Sequence, residues 1–265
     1  MESKNNWKAW LYLAPVIVLL AVFTFYPIIN TIFVSFLEGY DYQTGIYDGF
    51  TIQNYLAVLT PESDAGTYMY NLVMKQALPN TLLITIITVP ISIIMSLIIA
   101  IALNSIKWLK KIFQTVFFMP YVTNAIAIGM VFSVVFDADY GIFNNIFGSA
   151  NVGWISGSRI TGGVVSYGHA LFAICFYIVW HSLPYKILIF LGGLQNIDAQ
   201  YYDAAKIDSA PKWKTTLRIT VPLLSPQILY MMITSFIGSF KEYNSVIGLF
   251  GKSGGISMKL PVLVQ

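Results

Sequence analysis

A chain of 265 residues with 57% hydrophobic and only 10% charged residues, at a mean hydropathy of +0.69, lies far outside soluble-domain usage and reads as a polytopic membrane protein. The net charge of +3 does not point to nucleic acid, because the basic residues sit beside apolar spans, as membrane orientation requires. Cys175 is the single cysteine, which excludes an internal disulfide and a thiolate metal cluster.

A bilayer core needs about 20 apolar residues per helix, and five stretches qualify in chain order: Trp10–Leu37, Leu78–Leu103, Ile112–Phe136, Val164–Leu194 and Ile219–Phe250. The first is too long, and lacks a small-residue cleavage site, to be a removed signal peptide. Prolines at 15, 27, 90, 120, 184, 222 and 226 fit spans whose freed carbonyls are satisfied by neighbouring helices. The fold class expected is therefore all-α, a single transmembrane domain over 1–265 with five transmembrane helices. Leu260–Gln265 reads as the beginning of a further segment. Two expectations follow, a sixth helix missing at the C-terminus or a five-span protein with an external tail, and the first is preferred.

The positive-inside rule sets orientation. Lys4 and Lys8, then Lys107, Lys110 and Lys111, then Lys186, Lys206, Lys212, Lys214 and Arg218 mark one side, ten of the 15 basic residues. Lys75, Arg159, Lys241, Lys252 and Lys259 fall on the other, with acids such as Glu38, Asp41, Asp48, Glu62 and Asp64. The expectation is a plasma-membrane protein with a cytoplasmic amino terminus and a cytoplasmic segment over 195–226.

That segment contains the most hydrophilic helix-forming run of the chain, Asp203–Pro226, which is too polar to cross a bilayer. Its order is Asp203-Ala204-Ala205, Asp208-Ser209-Ala210, Trp213 and Ile219-Thr220-Val221-Pro222. The run resembles the cytoplasmic EAA loop of binding-protein-dependent ABC importer permeases. The resemblance implies a type I importer permease fold, a coupling role for Asp203, Ala204, Ala205, Asp208, Ser209, Ala210 and Trp213, and a separate ATPase subunit with a cleft for the loop. Departures are Asp203 for Glu, Ser209 for the Gly that lets the loop turn, and Thr216 where Phe is frequent; they bear on the fine geometry of docking.

Smaller landmarks extend the resemblance to the carbohydrate branch, similar to the maltose-type permease. They are Leu13-Ala14-Pro15, Phe25-Tyr26-Pro27, Asn54-Tyr55, Asn80-Thr81-Leu82, Asn104, Asp139-Tyr140-Gly141 with Asn144, Trp180, Pro184-Tyr185 and Leu191-Gly192-Gly193-Leu194-Gln195. The likeness implies a subunit of an ATP-driven importer for a sugar or polyol. Its implied partners are a second homologous permease, cytoplasmic ATP-binding subunits that hold ATP and Mg, and an extracytoplasmic solute-binding protein, all around a lipid-embedded chain that holds no cofactor itself. Two other readings stand beside it: an ABC permease for a phosphorylated polyol, with Lys241 as a point charge, and a proton-coupled secondary transporter using Glu242 or His181.

No catalytic constellation is evident, so the chain reads as a transporter subunit and not an enzyme. Gly251-Lys252-Ser253 lacks the glycine a phosphate loop needs five positions earlier, where Val246 stands. His169 and His181 lie twelve apart without clustered carboxylates, so a metal site is not expected. A sugar site needs aromatic faces and a few fixed donors and acceptors, and three spans offer them. Span three has Tyr121 and Asn124, three apart and hence on one helical face. Span four has His181, Ser182 and Tyr185, and span five has Lys241, Glu242 and Asn244, with 241 and 244 sharing a face. Rise along the helix puts Lys241 roughly 22 Å beyond Pro226. It either snorkels to the outer interface with Glu242 or lines a cavity. The maltose-type likeness supports Tyr121, Ser182 and Tyr185; Ile178 is apolar where that subunit is polar.

Overall fold

The computed structural model describes residues 6–61, 64–106, 110–147, 152–155 and 165–257. By its own contacts the chain divides into two units, Met1–Met74 and Lys75–Gln265.

In the first unit, α1 (Asn6–Leu20) and α2 (Tyr26–Ser35) are joined by a π-helical turn, Ala21–Phe25, into one apolar helix, Trp7–Ser35. A short antiparallel hairpin follows, β1 (Leu37–Glu38) with β2 (Gly49–Phe50), and then α3 (Gln53–Leu59) and α4 (Asp64–Leu72). Asn54 Nδ2 donates to the carbonyls of Ser35 and Leu37, each at 3.0 Å, and Tyr55 Oη meets Ser35 Oγ at 2.6 Å. The Asn54-Tyr55 landmark thus closes the end of α2, where backbone carbonyls lack helical partners. In the hairpin loop, Asp41 accepts from Thr44 Oγ1 at 2.6 Å and from Gln43 N at 2.8 Å. These two bonds hold its carboxyl below the usual range.

The second unit contains α5 (Leu78–Ser105), α6 (Lys110–Val122), α7 (Ala125–Val135), α8 (Ile142–Phe147) and α9 (Tyr167–Gln195). It continues with α10 (Ala199–Ile207), α11 (Lys212–Thr215), α12 (Val221–Leu223), α13 (Ser225–Phe240) and α14 (Asn244–Ser257). Its core is α5 laid along α9, with α13 against α5 and α6 against α9. The amphipathicity of α5 is inverted: Asn80, Thr81, Thr85, Thr88, Ser92 and Ser96 are buried, while Leu83, Ile86, Ile91, Ile94 and Ile98 are exposed. Their spacing of three to four keeps the polar groups on one face, which suits a helix whose outer solvent is hydrocarbon. Most of these hydroxyls donate back to carbonyls of their own helix, as Thr81 Oγ1 does to Ala77 O (2.8 Å) and Ser96 Oγ to Ile93 O (2.9 Å). Near the start of α5, Asn80 Oδ1 accepts from Tyr167 Oη of α9 at 2.7 Å.

Three π-helical turns, Ala21–Phe25, Val73–Ala77 and Thr216–Thr220, each end two residues before a proline: Pro27, Pro79 and Pro222. A proline ring collides with the carbonyl four residues back, and in all three cases that carbonyl lies inside the widened turn. The extra residue per turn relieves the collision without ending the helix.

Three helices, Trp7–Ser35, Tyr68–Ser105 and Tyr167–Gln195, are long and apolar enough to cross a membrane. Two bent pairs, Thr115–Val122 with Ala125–Val135 at 105° and Lys212–Leu223 with Ser225–Phe240 at 66°, bring the number to five if each is one span. The expected third span is therefore two helices. Pro120 lies inside α6, and Asn124 ends that run by capping α7, its Oδ1 accepting from Ile126 N (2.9 Å) and Ala127 N (3.3 Å). The expected fifth span is also interrupted, at Lys241–Tyr243, beyond which α14 packs on α7. The further segment expected to begin at Leu260–Gln265 lies outside the described residues.

The α7–α14 crossing is set by two glycines. A Cβ on Gly129 would lie 2.7 Å from Gly248 Cα, and one on Gly248 would lie 3.0 Å from Gly129 Cα. Close backbone approach through small residues is the usual way apolar helices associate in lipid. Gly129→Ala is expected to cost about 1–3 kcal/mol by overpacking against backbone that cannot rotate away. A thermal-unfolding series in detergent checks this, with Gly168→Ala as the control, because a Cβ at Gly168 meets nothing within 4 Å.

Candidate functional site: a hydroxyl-lined cavity and a polar loop

Where α5, α6, α9 and α13 meet, they enclose a cavity of about 240 Å³. From α5 it takes Thr88 and Ser92, from α6 Tyr121, from α9 His181, Ser182, Tyr185 and Lys186, and from α13 Thr234, Ser235 and Ser239, with Glu242 just beyond. Tyr121 and Tyr185 stack, ring centroids 5.5 Å apart at 17°, and Tyr185 Oη approaches Tyr230 Oη at 3.4 Å. The tyrosines thus bring aromatic groups of three helices together beside a wall of hydroxyls.

Two buried polar atoms on this wall, Thr88 Oγ1 and His181 Nε2, have no hydrogen-bond partner among the described residues. An unmet buried donor or acceptor costs about 1–3 kcal/mol. Both are side chains that a ligand hydroxyl would satisfy. Lys186 is 6% exposed; its Nζ donates to Ser92 Oγ and, at 3.3 Å, to Ser182 Oγ. Those hydroxyls send their own protons to the carbonyls of Val89 (3.0 Å) and Val179 (2.9 Å), which leaves lone pairs for the ammonium.

Five of the eight residues expected in a solute site, Tyr121, His181, Ser182, Tyr185 and Glu242, line this one cavity, as does Ile178. Three do not. Asn124 shares no face with Tyr121, because the bend places it on the next helix as a cap. Lys241 and Asn244 share no face either: Lys241 closes α13 and Asn244 opens α14, and both are exposed. Glu242 stands between them, its Oε1 accepting from Ser245 N at 3.2 Å. The orientation count also loses a member, since Lys186 lies buried in the middle of α9 rather than in the segment after it. Sequence reasoning missed Thr88, Ser92, Lys186, Thr234, Ser235 and Ser239. The signal for the first three was available: a hydroxyl stripe on α5 at helical spacing, and a lysine one turn from Ser182.

The polar loop folds as α10, a tight turn and α11. Asp198 caps α10 by accepting from Gln200 N at 3.0 Å, and Asp203 pairs with Lys206 at 2.7 Å on the exposed face. At its end, Ala210 N donates to Ala205 O (2.9 Å) and Ser209 N to Lys206 O (3.0 Å), the paired bonds of a Schellman cap. That cap needs a left-handed residue, and Ser209 supplies it at φ 49°, the one non-glycine with positive φ among the described residues. Ala205 is buried against its own chain. Ala204 and Asp208 are exposed, and Trp213 (67%) and Ile207 (84%) stand out into solvent. Tyr202 Oη meets Thr220 Oγ1 at 3.2 Å and ties α10 to the segment leading into α13.

Such a chain, with a polar loop of this form between apolar helices and bent spans around a polar cavity, is a membrane-transport subunit. It belongs to the family of binding-protein-dependent transport system inner membrane components, whose pattern it matches over residues 92–264. It is 33% identical over 255 residues to the lactose transport system permease protein LacF of Rhizobium radiobacter, covering 94% of this chain and 78% of that one. It is 30% identical to the arabinooligosaccharides transport system permease protein AraP of Bacillus subtilis, covering 95% and 75%. Its fold matches a chain of a bacterial alginate ABC transporter, solved in complex with an alginate pentasaccharide-bound periplasmic protein. The TM-score is 0.71 at 18% identity, over 97% of this chain and 80% of that one.

Ser209→Gly should remove the left-handed penalty, about 1 kcal/mol, and tighten the end of α10. Amide hydrogen exchange of residues 205–210 in the purified protein checks this: slower exchange is expected for Ser209→Gly and faster for Ser209→Val.

Proposed function

We propose that this chain is one permease subunit of an ATP-driven importer for a carbohydrate or polyol, and that the hydroxyl-lined cavity is its part of the solute path. The observation that carries the reading is the stacked Tyr121–Tyr185 pair facing hydroxyls of α5, α9 and α13, beside Thr88 Oγ1 and His181 Nε2, two buried atoms with no partner among the described residues. Sugars present apolar ring faces edged by hydroxyls, and a site for them needs both chemistries at once. The relatives named for lactose and arabinooligosaccharides support the cargo class. At about 240 Å³ the cavity is smaller than the roughly 300–1,000 Å³ that encloses a drug-sized ligand. A second homologous permease supplies the remaining wall. Alternating access opens the cavity first to a solute-binding protein and then to the cell interior.

The loop 195–226 faces the cytoplasm, together with the amino terminus, and couples to a separate ATPase subunit through Ala204, Asp208, Ser209, Ala210 and Trp213, with the Asp203–Lys206 pair fixing the outer face of α10. Ala205 supports this surface from behind, so a substitution there disturbs the fold as well as docking. Exposed Ile207 and Trp213 on a segment too polar for lipid are what an apolar cleft in a partner would cover.

The assembled importer in proteoliposomes tests both halves. Tyr185→Ala is expected to lower solute uptake about tenfold, the worth of an aromatic stacking face, with assembly intact. Ala204→Trp is expected to release the ATPase subunit during purification while leaving the permease folded. Unchanged uptake in the first variant removes the cavity from the path. A stable, fully active complex in the second removes the coupling role, and labelling of a cysteine at Lys212 by an impermeant reagent in intact cells reverses the orientation.

A further inference from the structure

Lys186 is the one cation on the cavity wall, and its setting differs from that of a structural tie. It is 6% exposed and lies mid-helix in α9. The only ion pair among the described residues is Lys206–Asp203, so no carboxylate there neutralises Lys186. Its partners, the hydroxyls of Ser92 and Ser182, are neutral and take two of the three ammonium protons. An interhelical tie between α5 and α9 needs no charge; the neutral side chains of Asn80 and Tyr167 make one near the start of α5. A buried ammonium held only by hydroxyls is costly, and charged groups at membrane depth mark solute paths.

We infer that Lys186 is the anion-recognising residue of this cavity, so that the carbohydrate it takes carries an oxyanion substituent, a carboxylate or a phosphate. The inference rests on the cavity being the solute site and names the class of solute. The remaining charged group on the wall is Glu242, held at the start of α14 through Ser245 N. The titratable groups between them are His181 of α9 and the tyrosines Tyr121 of α6 and Tyr185 of α9. The field along the wall therefore points from Lys186 toward Glu242. An oxyanion is drawn to the Lys186, Ser92 and Ser182 end, and the sugar ring it is attached to reaches the Tyr121–Tyr185 pair. Lysine acts here as a point charge, without the fork geometry that would select one oxyanion over another.

The test is equilibrium binding to the assembled importer in nanodiscs, without the solute-binding protein, whose own selectivity would mask the permease. Three radiolabelled probes share one scaffold: a neutral galactose disaccharide, its uronate and its 6-phosphate. The wild type is expected to bind one or both anions at least tenfold more tightly than the neutral parent, and which of them it prefers identifies the substituent. Lys186→Gln is expected to cut that ratio about tenfold to a hundredfold, the range of a hydrogen bond to a charged group, and Lys186→Arg to retain most of it. Glu242→Gln, which removes the opposing charge, is expected to raise the ratio, and it tests the field if Lys186→Gln does not assemble. A wild-type ratio near one, or a ratio that neither Lys186→Gln nor Glu242→Gln moves, overturns the assignment of Lys186 while the neutral probe's binding upholds the cavity. Failure of all three probes to bind overturns the reading of the cavity itself.

Discussion

The α5–α9 contact is the constraint on which the second unit depends. In hydrocarbon there is no hydrophobic drive to hide Leu or Ile, and α5 turns Ile86, Ile91, Ile94 and Ile98 outward and its hydroxyls inward, with Ile84 and Ile93 packed among them. The hydroxyls of Thr81, Thr85, Ser92 and Ser96 are satisfied locally by carbonyls three or four residues back, and α9 lies along the stripe. At Thr88 and Ser92 the stripe stops being merely packed. Thr88 Oγ1 has no partner among the described residues and Ser92 Oγ accepts from Lys186 Nζ, and both side chains line the cavity. One feature of sequence, a polar ridge at helical spacing, thus makes both the interface and the opening in it.

Glycine and proline distribute the remaining geometry. Gly193 lets α9 approach the start of α13, since a Cβ there would lie 2.8 Å from Leu224 Cδ2. Gly129 and Gly248 seat α7 on α14. The prolines following the three π-helical turns are accommodated without ending the helices, because the widened turn takes up the carbonyl that the ring would strike. Tyr177 Oη of α9 donates to Ala125 O at 2.6 Å and fixes the first turn of α7 beside the 105° bend, so the break is braced by α9.

Much of this was legible in the sequence. Apolar length alone located the membrane helices, and the order of residues in the polar loop located a helix, a turn and a second helix. Ser209 was marked as the place where a glycine is usual, and its positive φ gives that substitution a physical meaning. Several landmarks proved to be ties: Asn54 closes α2, and Asn144 Nδ2 bonds Ala138 O (2.9 Å) while its Oδ1 accepts from Trp154 Nε1 (2.7 Å). Helical spacing misled where a helix did not continue. Tyr121 and Asn124, and likewise Lys241 and Asn244, are three apart across a break, and periodicity says nothing about residues on different helices. The charge count assigns Lys186 to the segment after span four, although the apolar stretch Val164–Leu194 already contains it, and α9 runs on for nine residues beyond it.

The central claim is that water and solute reach the wall formed by Ser92, Ser182 and Ser239. Cysteine accessibility measures this directly. In a Cys175→Ser background, single cysteines at Ser182 and Ser239 would be exposed to a hydrophilic methanethiosulfonate in membranes carrying the whole importer, with Ile98→Cys on the outward face of α5 as reference. The account predicts modification at Ser182 and Ser239, slowed by transported solute, and none at Ile98. Equal resistance at all three positions, with or without solute, would contradict it.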